Sequence, residues 1–338
     1  MRCQPDGSFR LLMSDASRRE IQPLHYPVDF KRASSSIYGP HEQWELFSFS
    51  RGLDLLHSPH FNVPVLGAKK MVVTVHDLIY LKDARFSGSR FTQTYVNYMF
   101  NVIEKRADAV LTVSEFTKND LLERFPKLHG RVFVTPEAAS FHFQPVRSED
   151  ELAAAKKKLQ CPKPFVLFVG SLKKHKNVAL LIEAMAALRE RSGFDHELLL
   201  VGKADPRERE LLELIGRHPF VRWMEGVSDD QLVFLYNLAV VFVLPSLWEG
   251  FGLPVLEAMA CGTPVLVSDR ASLPEVAGEA GLYFDPTRVD ALKELLYTVL
   301  QDGTLRQKMS QMGLKQAKKF SWDRTAAQTL QVYERVLR

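Results

Sequence analysis

The chain has 338 residues, of which 46% are hydrophobic, and this is enough apolar material for two ordinary domains rather than one enlarged core. Its 44 basic and 40 acidic residues leave a net charge of +4, too small a basic excess to predict a dedicated nucleic-acid binder. The three cysteines, Cys3, Cys161 and Cys261, lie far apart, which argues against a disulfide framework or a cysteine metal site and favours a reducing cytoplasm.

The N-terminal 36 residues form a polar run without the apolar centre of a signal peptide, and we predict neither a strand nor a long helix before residue 50. No stretch of the chain approaches the roughly 20 consecutive apolar residues that cross a bilayer. We therefore expect a cytoplasmic protein whose membrane contact is limited to the surface. The basic residues at 156–158 and 173–176 are suited to lipid phosphates, or they simply face solvent.

The first half alternates between short apolar runs and helical patterns. Residues 140–164 then carry Pro145, Pro162 and Pro164 around a charged helical stretch, which is typical of a linker. We predict an N-terminal domain over residues 1–145. Its expected strands are 53–57, 71–75, 109–113 and 132–134, and its expected helices are 91–106 and 115–124.

The second half repeats the alternation more regularly, which predicts an α/β domain over residues 160–320 with a parallel sheet covered on both faces. One helix is expected to open with a Ser228-Asp-Asp-Gln231 capping box. The tail, residues 321–338, predicts a final helix that packs back on the first domain. The expected strands are 165–169, 197–201, 221–223, 240–244 and 265–267, and the helices are 177–191, 206–217, 228–237 and 254–260.

The most informative motif is the run PSLWEGFGLPVLEAMACGTP at residues 245–264, which follows a buried strand and opens a helix. Ligands of doubly wound sheets bind at the carboxyl ends of the strands, so this turn is expected at a binding edge. Glycines allow the backbone to approach a ligand, and the unpaired amides at a helix start suit an anion such as a diphosphate. The turn consists of Gly250, Phe251, Gly252 and Leu253.

Glu249 and Glu257 bracket this turn. Two carboxylates beside an anion site would repel the anion, whereas vicinal hydroxyls of a sugar donate strong hydrogen bonds to carboxylates. One glutamate is then suited to a hexose and the other to a ribose. The alternative is that Glu257 only complements the helix dipole and that Glu249 is solvated.

The run resembles the signature of the family 4 retaining glycosyltransferases, in which two glutamates separated by seven residues bracket a G-F-G-L-P turn. The resemblance implies the GT-B fold, with two Rossmann-like domains whose parallel sheets face a central cleft. It implies that Glu249 contacts the transferred sugar and Glu257 the ribose hydroxyls. The amides around Gly252 and Leu253 would bind the sugar and the diphosphate.

A second motif, FVLFVGSLKKHKN at residues 165–177, joins a strand, a glycine turn and a basic cluster. Taken alone, this cluster is also compatible with a solvated turn. By the resemblance, Gly170 and Ser171 border the donor and Lys176 is the diphosphate lysine. Ser171 stands where the family often has an arginine, and Lys173 or Lys174 is the candidate replacement. Residues 221–227 resemble the stretch whose backbone reads the nucleobase.

In the first half, His76 and Asp77 directly follow the strand at 71–75. Such a pair is often structural, and the resemblance implies instead that His76 lies beside the donor sugar and the acceptor. His57 and His60 end the preceding strand, where they would line the acceptor pocket. The alternative is that they bind a metal, but the sequence places no third ligand to join them. Ser114 is expected to be a helix N-cap.

The resemblance implies a metal-independent enzyme that moves a mannose- or glucose-type hexose from a UDP- or GDP-sugar to a glycan or lipid-linked acceptor, with retention. It needs no cofactor beyond the donor and binds no nucleic acid. A nucleotide-sugar epimerase on the same fold is one alternative. The other is a truncated, non-catalytic nucleotide-sugar binder, because we also expect the first strand–helix unit of a GT-B domain to be missing.

Overall fold

The computed structural model describes residues 8–14, 17–18, 28–35, 40–82, 90–190 and 194–338. The chain divides into two compact units, one formed by Met1–Thr135 with Asp323–Arg338 and the other by Pro136–Trp322. The division falls between Thr135 and Pro136, whereas we predicted a first domain that runs to residue 145.

The N-terminal segment contains two strands, so the prediction of an irregular run without strands was wrong. Strand β1 (Phe9–Met13) pairs in parallel with β2 (Val28–Arg32), and helix α1 (Pro40–Ser50) follows. Both strands are only partly buried and carry charged side chains. Their pattern therefore lacks the continuous apolar run that marks a fully buried parallel strand.

The first unit also contains a four-stranded parallel sheet in the order β3-β4-β5-β6. Apolar runs without charged side chains, such as Met71–Val75, form its strands, because both faces of a parallel sheet are covered. Its elements are β3 (Leu56–Ser58), β4 (Met71–Val75), α2 (Ile79–Lys82), α3 (Arg90–Arg106), β5 (Ala109–Thr112), α4 (Glu115–Arg124) and β6 (Val132–Val134).

The second unit contains a six-stranded parallel sheet in the order β12-β11-β10-β7-β8-β9. Its strands are β7 (Phe165–Val169), β8 (Glu197–Val201), β9 (Val221–Met224), β10 (Val241–Leu244), β11 (Val265–Ser268) and β12 (Gly281–Phe284). The helices of this unit are α5 (Glu149–Lys158), before β7; α6 (Val178–Arg189), α7 (Arg209–Arg217), α8 (Asp229–Leu238), α9 (Leu253–Ala260) and α10 (Leu273–Ala277), between the strands; and α11 (Val289–Gln301) and α12 (Gly303–Ala317), after β12.

The strand order of this sheet reverses between β7 and β10. The chain builds β8 and β9 on one side of β7 and then returns to place β10, β11 and β12 on the other side. The loops that leave two such neighbouring strands separate in opposite directions and open a crevice, which is where doubly wound sheets bind ligands. The predicted capping box is confirmed, since Ser228 and Gln231 cap α8 reciprocally.

The last helix, α13 (Trp322–Leu337), returns to the first unit. Val332 and Val336 pack against Val72 of β4 and Leu111 of β5, on one face of the four-stranded sheet. The opposite face is covered by α3, whose buried Phe100 and Ile103 belong to the larger core of this unit. None of the described helices is both long enough and apolar enough to cross a membrane.

Candidate active site

Both sequence motifs of the second unit lie at the switch point of its sheet. The loop after β7 carries the basic cluster, and the loop after β10 carries the glutamate and glycine run; β7 and β10 are neighbours, with Val166 opposite Val241. The two loops are joined directly, because the amide of Leu247 donates to the carbonyl of His175 at 2.8 Å. Two segments far apart in sequence thus form one surface.

At the centre of this surface, Lys176 and Glu249 form an ion pair. Lys176 Nζ lies 2.7 Å from Glu249 Oε1, and the two side chains are only 14% and 11% exposed. The aliphatic stem of Lys176 passes Gly170, where an added Cβ would lie 3.9 Å from Lys176 Cε. The alternative in which Glu249 is solvated is therefore wrong. The alternative in which the basic cluster is an ordinary surface turn is wrong for Lys176.

Three buried serines, which the sequence reasoning missed, hold the glutamate loop in place. Ser246 Oγ donates to Glu249 Oε1 at 2.6 Å, and Ser272 Oγ donates to the carbonyls of Glu249 and Phe251 at 3.0 and 2.8 Å. Ser268 Oγ donates to the carbonyl of Ser246 at 2.6 Å. A survey of hydroxyl residues at strand ends would have found Ser246 and Ser268, whereas Ser272 lies at the start of α10.

The glycine turn has a backbone that only glycine adopts readily. Gly252 has a φ of +106°, and a Cβ there would lie 2.6 Å from Leu273 Cδ2. Helix α9 begins directly after it, and because its N-cap is a glycine the first turn has no side-chain cap. Pro254 has no N–H and the amide of Val255 donates to the carbonyl of Gly252 at 2.9 Å, so the amides of Gly252 and Leu253 are the ones that a helix start leaves without an intrahelical acceptor. Phe251 contributes only backbone here, since its ring is buried edge-on against Phe320.

Glu257 lies in a different environment from Glu249. Its Oε2 accepts a hydrogen bond of 2.8 Å from the hydroxyl of Tyr236, a fully buried residue of α8. Burial raises the pKa of Glu257 to about 7; the Tyr236 hydrogen bond opposes this shift and the charge of Asp229 adds to it. Glu257 thus carries less negative charge near neutral pH than an ordinary glutamate.

The rest of the basic turn is only partly buried. Ser171 accepts a backbone hydrogen bond from Lys173 at 2.9 Å, and the amide of Lys174 donates to Glu208 at 3.1 Å. Burial, reinforced by the positive charge of Lys176, lowers the pKa of His175 to about 4. A neutral His175 leaves Lys176 as the cation of this turn that contacts Glu249.

In the first unit, His76 lies at the carboxyl end of β4 and is exposed. Its Nε2 is 3.0 Å from the carbonyl of Pro59, and its own carbonyl accepts from Thr117 at 3.3 Å. Asp77 accepts from the amide of Ile79 at 3.0 Å and so turns the chain into α2. The N-cap prediction for Ser114 is confirmed, because its side chain accepts from the amide of Thr117.

His57 is a packing residue of the first unit. Its Nε2 is 2.8 Å from Thr74 Oγ1, and its Nδ1 contacts the hydroxyl of Tyr333 on α13. Burial, with a smaller contribution from His76, lowers the pKa of His57 to about 4. Because protein groups occupy both ring nitrogens, His57 is a tether for α13. Within the described ranges, no three His, Cys, Asp or Glu residues are grouped so as to hold a metal ion.

The fold and the site define a glycosyltransferase of the GT-B class. The structure superposes on sucrose-phosphate synthase from Thermosynechococcus elongatus with a TM-score of 0.71 and 26% sequence identity, covering 86% of this chain and 76% of that one. The predicted α/β fold class is confirmed by this match and by the parallel sheets of both units.

The chain belongs to the group 1 glycosyltransferases, family 4. The model of "Glycosyl transferases group 1" matches residues 149–316, and that of "Glycosyltransferase Family 4" matches residues 12–138. O-antigen chain mannosyltransferase B of Escherichia coli is 33% identical over 287 residues, with 83% of this chain and 74% of that protein covered. The serotype-specific mannosyltransferase WbdA of Escherichia coli is 32% identical over 287 residues; the match covers 82% of this chain but 34% of WbdA.

Proposed function

We propose that this glycosyltransferase moves a hexose, of the mannose type, from a UDP- or GDP-sugar to a glycan or lipid-linked acceptor, with retention and without a metal ion. The mannosyltransferase names of two relatives support the sugar, and the O-antigen chain in the name of one of them supports a glycan acceptor. We further propose that the reaction takes place in the cytoplasm, at the inner face of the membrane.

The observation that carries the proposal is the part-buried pairing of Lys176 with Glu249 beside the start of α9, which has no side-chain cap. A lysine and unpaired helix amides attract a diphosphate, and a carboxylate beside them accepts hydrogen bonds from sugar hydroxyls. Glu257, deeper in the same helix, is suited to a ribose because its raised pKa reduces repulsion of the phosphates.

The chemistry follows from where charge develops. As the sugar leaves, the diphosphate gains negative charge, which Lys176 and the amides around Gly252 and Leu253 stabilise. No carboxylate is assigned as a covalent nucleophile, so we propose departure of the diphosphate and attack of the acceptor on the same face of the sugar, with His76 positioning the sugar.

The test is donor turnover by wild type and two variants. We expect Lys176→Met and Glu249→Gln each to reduce kcat/KM for the accepted nucleotide sugar by about 100-fold, the usual scale for losing one electrostatic contact of a transition state. The matched controls are Lys163→Met and Glu213→Gln, which remove the same charges from the exposed pairs Lys163–Asp195 and Glu213–Arg217 of the same unit. These should retain wild-type rates.

Four outcomes would each refute a different part of the proposal. Unchanged rates in Lys176→Met and Glu249→Gln would reject the assigned site. A new epimeric nucleotide sugar, detected by NMR without acceptor, would identify an epimerase. Nucleotide-induced thermal stabilisation without turnover of any donor would identify a non-catalytic binder. Full activity after exhaustive chelation is expected, and a chelator-sensitive rate would reject metal independence.

A further inference from the structure

The Glu249 carboxylate is held by two donors of different kinds. Lys176 Nζ and Ser246 Oγ lie 2.7 and 2.6 Å from the same oxygen, Oε1. Lys176 is a point charge on a flexible four-carbon stem, whereas the hydroxyl of Ser246 is one bond from its Cβ and is fully buried. One donor can change partner, and the other stays with the carboxylate.

Ser246 is itself fixed by groups that no ligand would displace. Only Pro245 separates it from the end of β10, and its carbonyl accepts a hydrogen bond from the fully buried Ser268, the last residue of β11. The carbonyl of Glu249 is held separately by Ser272. The loop that carries Glu249 is therefore anchored at two points to one segment, residues 268–272, through the buried hydroxyls of Ser268 and Ser272.

Under the proposed function, the donor diphosphate competes with Glu249 for Lys176. Two phosphates carry more charge than one carboxylate, so Lys176 is expected to turn towards them when the donor binds. Glu249 then loses its charged partner at the moment when it must accept hydrogen bonds from the hexose. A carboxylate without a fixed donor would have rotational freedom, which weakens directional recognition.

We propose that Ser246 is a positioning residue that fixes Glu249 for the hexose hydroxyls once Lys176 has moved to the diphosphate, and thereby sets the preference between epimeric sugars. Its hydroxyl occupies Oε1 and leaves Oε2 for the sugar. The 2.6 Å distance is within the range of charge-assisted O–H···O⁻ bonds, and a neutral donor leaves the carboxylate its negative charge. This inference rests on the proposed function.

The experiment compares nucleotide binding with sugar transfer in Ser246→Ala. We expect the affinity for the free nucleoside diphosphate to stay within twofold of wild type, because Lys176 and the helix amides are retained. We expect kcat/KM for the accepted nucleotide sugar to fall about 10-fold or more, the scale of one hydrogen bond to a charged group. The ratio of kcat/KM between that sugar and its epimer should fall by a similar factor.

A structural role for Ser246 would lower stability without changing that ratio. Ser50→Ala is the matched control: Ser50 is equally buried, lies in the other unit and donates to the carbonyl of Phe47 at 2.9 Å. Ser246→Thr keeps the hydroxyl and should restore sugar preference. If Ser246→Ala does not fold, Ser246→Cys, nearly isosteric and a weak donor, should show the same loss of sugar preference.

The two hypotheses fail differently. If wild type transfers no sugar from any nucleotide donor, the proposed function fails and this inference falls with it. If wild type is active and Ser246→Ala, or Ser246→Cys in its place, keeps the wild-type epimer ratio, only the role of Ser246 is overturned. A loss of nucleoside diphosphate affinity equal to the loss of kcat/KM would also overturn it, since the effect would then not be specific to the sugar.

Discussion

Glu249 and Glu257 are both glutamates of one motif, and their surroundings give them different charge states. Glu249 forms an ion pair with Lys176, with 2.7 Å between Oε1 and Nζ. Burial instead raises the pKa of Glu257 to about 7, beside the Tyr236 hydroxyl. The site can therefore hold two acidic side chains near an expected anion without a full double negative charge. Side-chain identity alone, E at two positions, does not reveal this difference.

The raised pKa of Glu257 predicts a pH-dependent stability. The folded protein keeps a proton that the unfolded chain loses near pH 4.5, so the free energy of unfolding falls as pH rises from about 4.5 to about 7. Glu257→Gln has no such proton. Between pH 5 and 8, wild type should lose on the order of 1–3 kcal/mol relative to this variant in urea titrations. The exposed Glu213→Gln should give a curve parallel to wild type, and a parallel curve for Glu257→Gln would reject the raised pKa.

The backbone shape of the glycine turn predicts that Gly252 does not tolerate a side chain. Gly252→Ala combines a positive φ with a Cβ 2.6 Å from Leu273, and it should cost about 2–4 kcal/mol of unfolding free energy and displace the start of α9. Gly130 also has a positive φ, of +79°, but open space around it, so Gly130→Ala should cost about 1 kcal/mol. Equal costs in chemical denaturation would show that Leu273 simply moves aside.

At the scale of elements, α13 is the clearest case of a helix that depends on distant sequence. Its Val332 and Val336 cover Val72 and Leu111, and Tyr333 contacts His57 of β3. The apolar spacing in residues 321–338 predicted a helix, and the structure places it at Trp322–Leu337, whereas its attachment depends on which sheet face lacks cover. Helical propensity alone would leave a lone 16-residue segment only marginally stable in water.

Truncation of the apolar face of α13 should therefore destabilise the first unit. Val332→Ala should cost about 1–2 kcal/mol, because it removes buried methyl groups and leaves a small cavity against the sheet. Gln331, the preceding residue, is exposed, so Gln331→Ala should be neutral within about 0.5 kcal/mol. Urea denaturation followed by circular dichroism measures both; similar values would show that α13 contributes no core packing.

For the whole molecule, the two units differ in chain continuity. The second is one continuous segment, Pro136–Trp322, with its own six-stranded sheet, whereas the first needs residues 323–338 to cover β4 and β5. The fragment 136–322 should unfold cooperatively on heating when expressed alone. The fragment 1–135 should aggregate or expose apolar surface to a dye such as ANS, and adding α13 through a linker should reduce this.

Much of the four-stranded and six-stranded sheets was predictable because buried parallel strands are continuous apolar runs. The expected limits of β4, β6, β7 and β8 agree with the structure. Strands β1 and β2 escaped prediction because they are half-buried and charged, and pairing between them is a non-local choice. At the site, the motifs gave Lys176, Glu249 and the glycine turn, but the serines behind Glu249 carry no motif of their own.

The sequence by itself determined the α/β alternation, the family and the candidate residues, since these depend on local periodicity and on fixed spacings along the chain. Only the tertiary structure decided that Lys176 pairs with Glu249, that Glu257 instead meets Tyr236, and that His57 tethers α13. The reason is physical: ion pairing, burial and pKa depend on distances between segments far apart in sequence, and the order of strands in the sheet sets those distances.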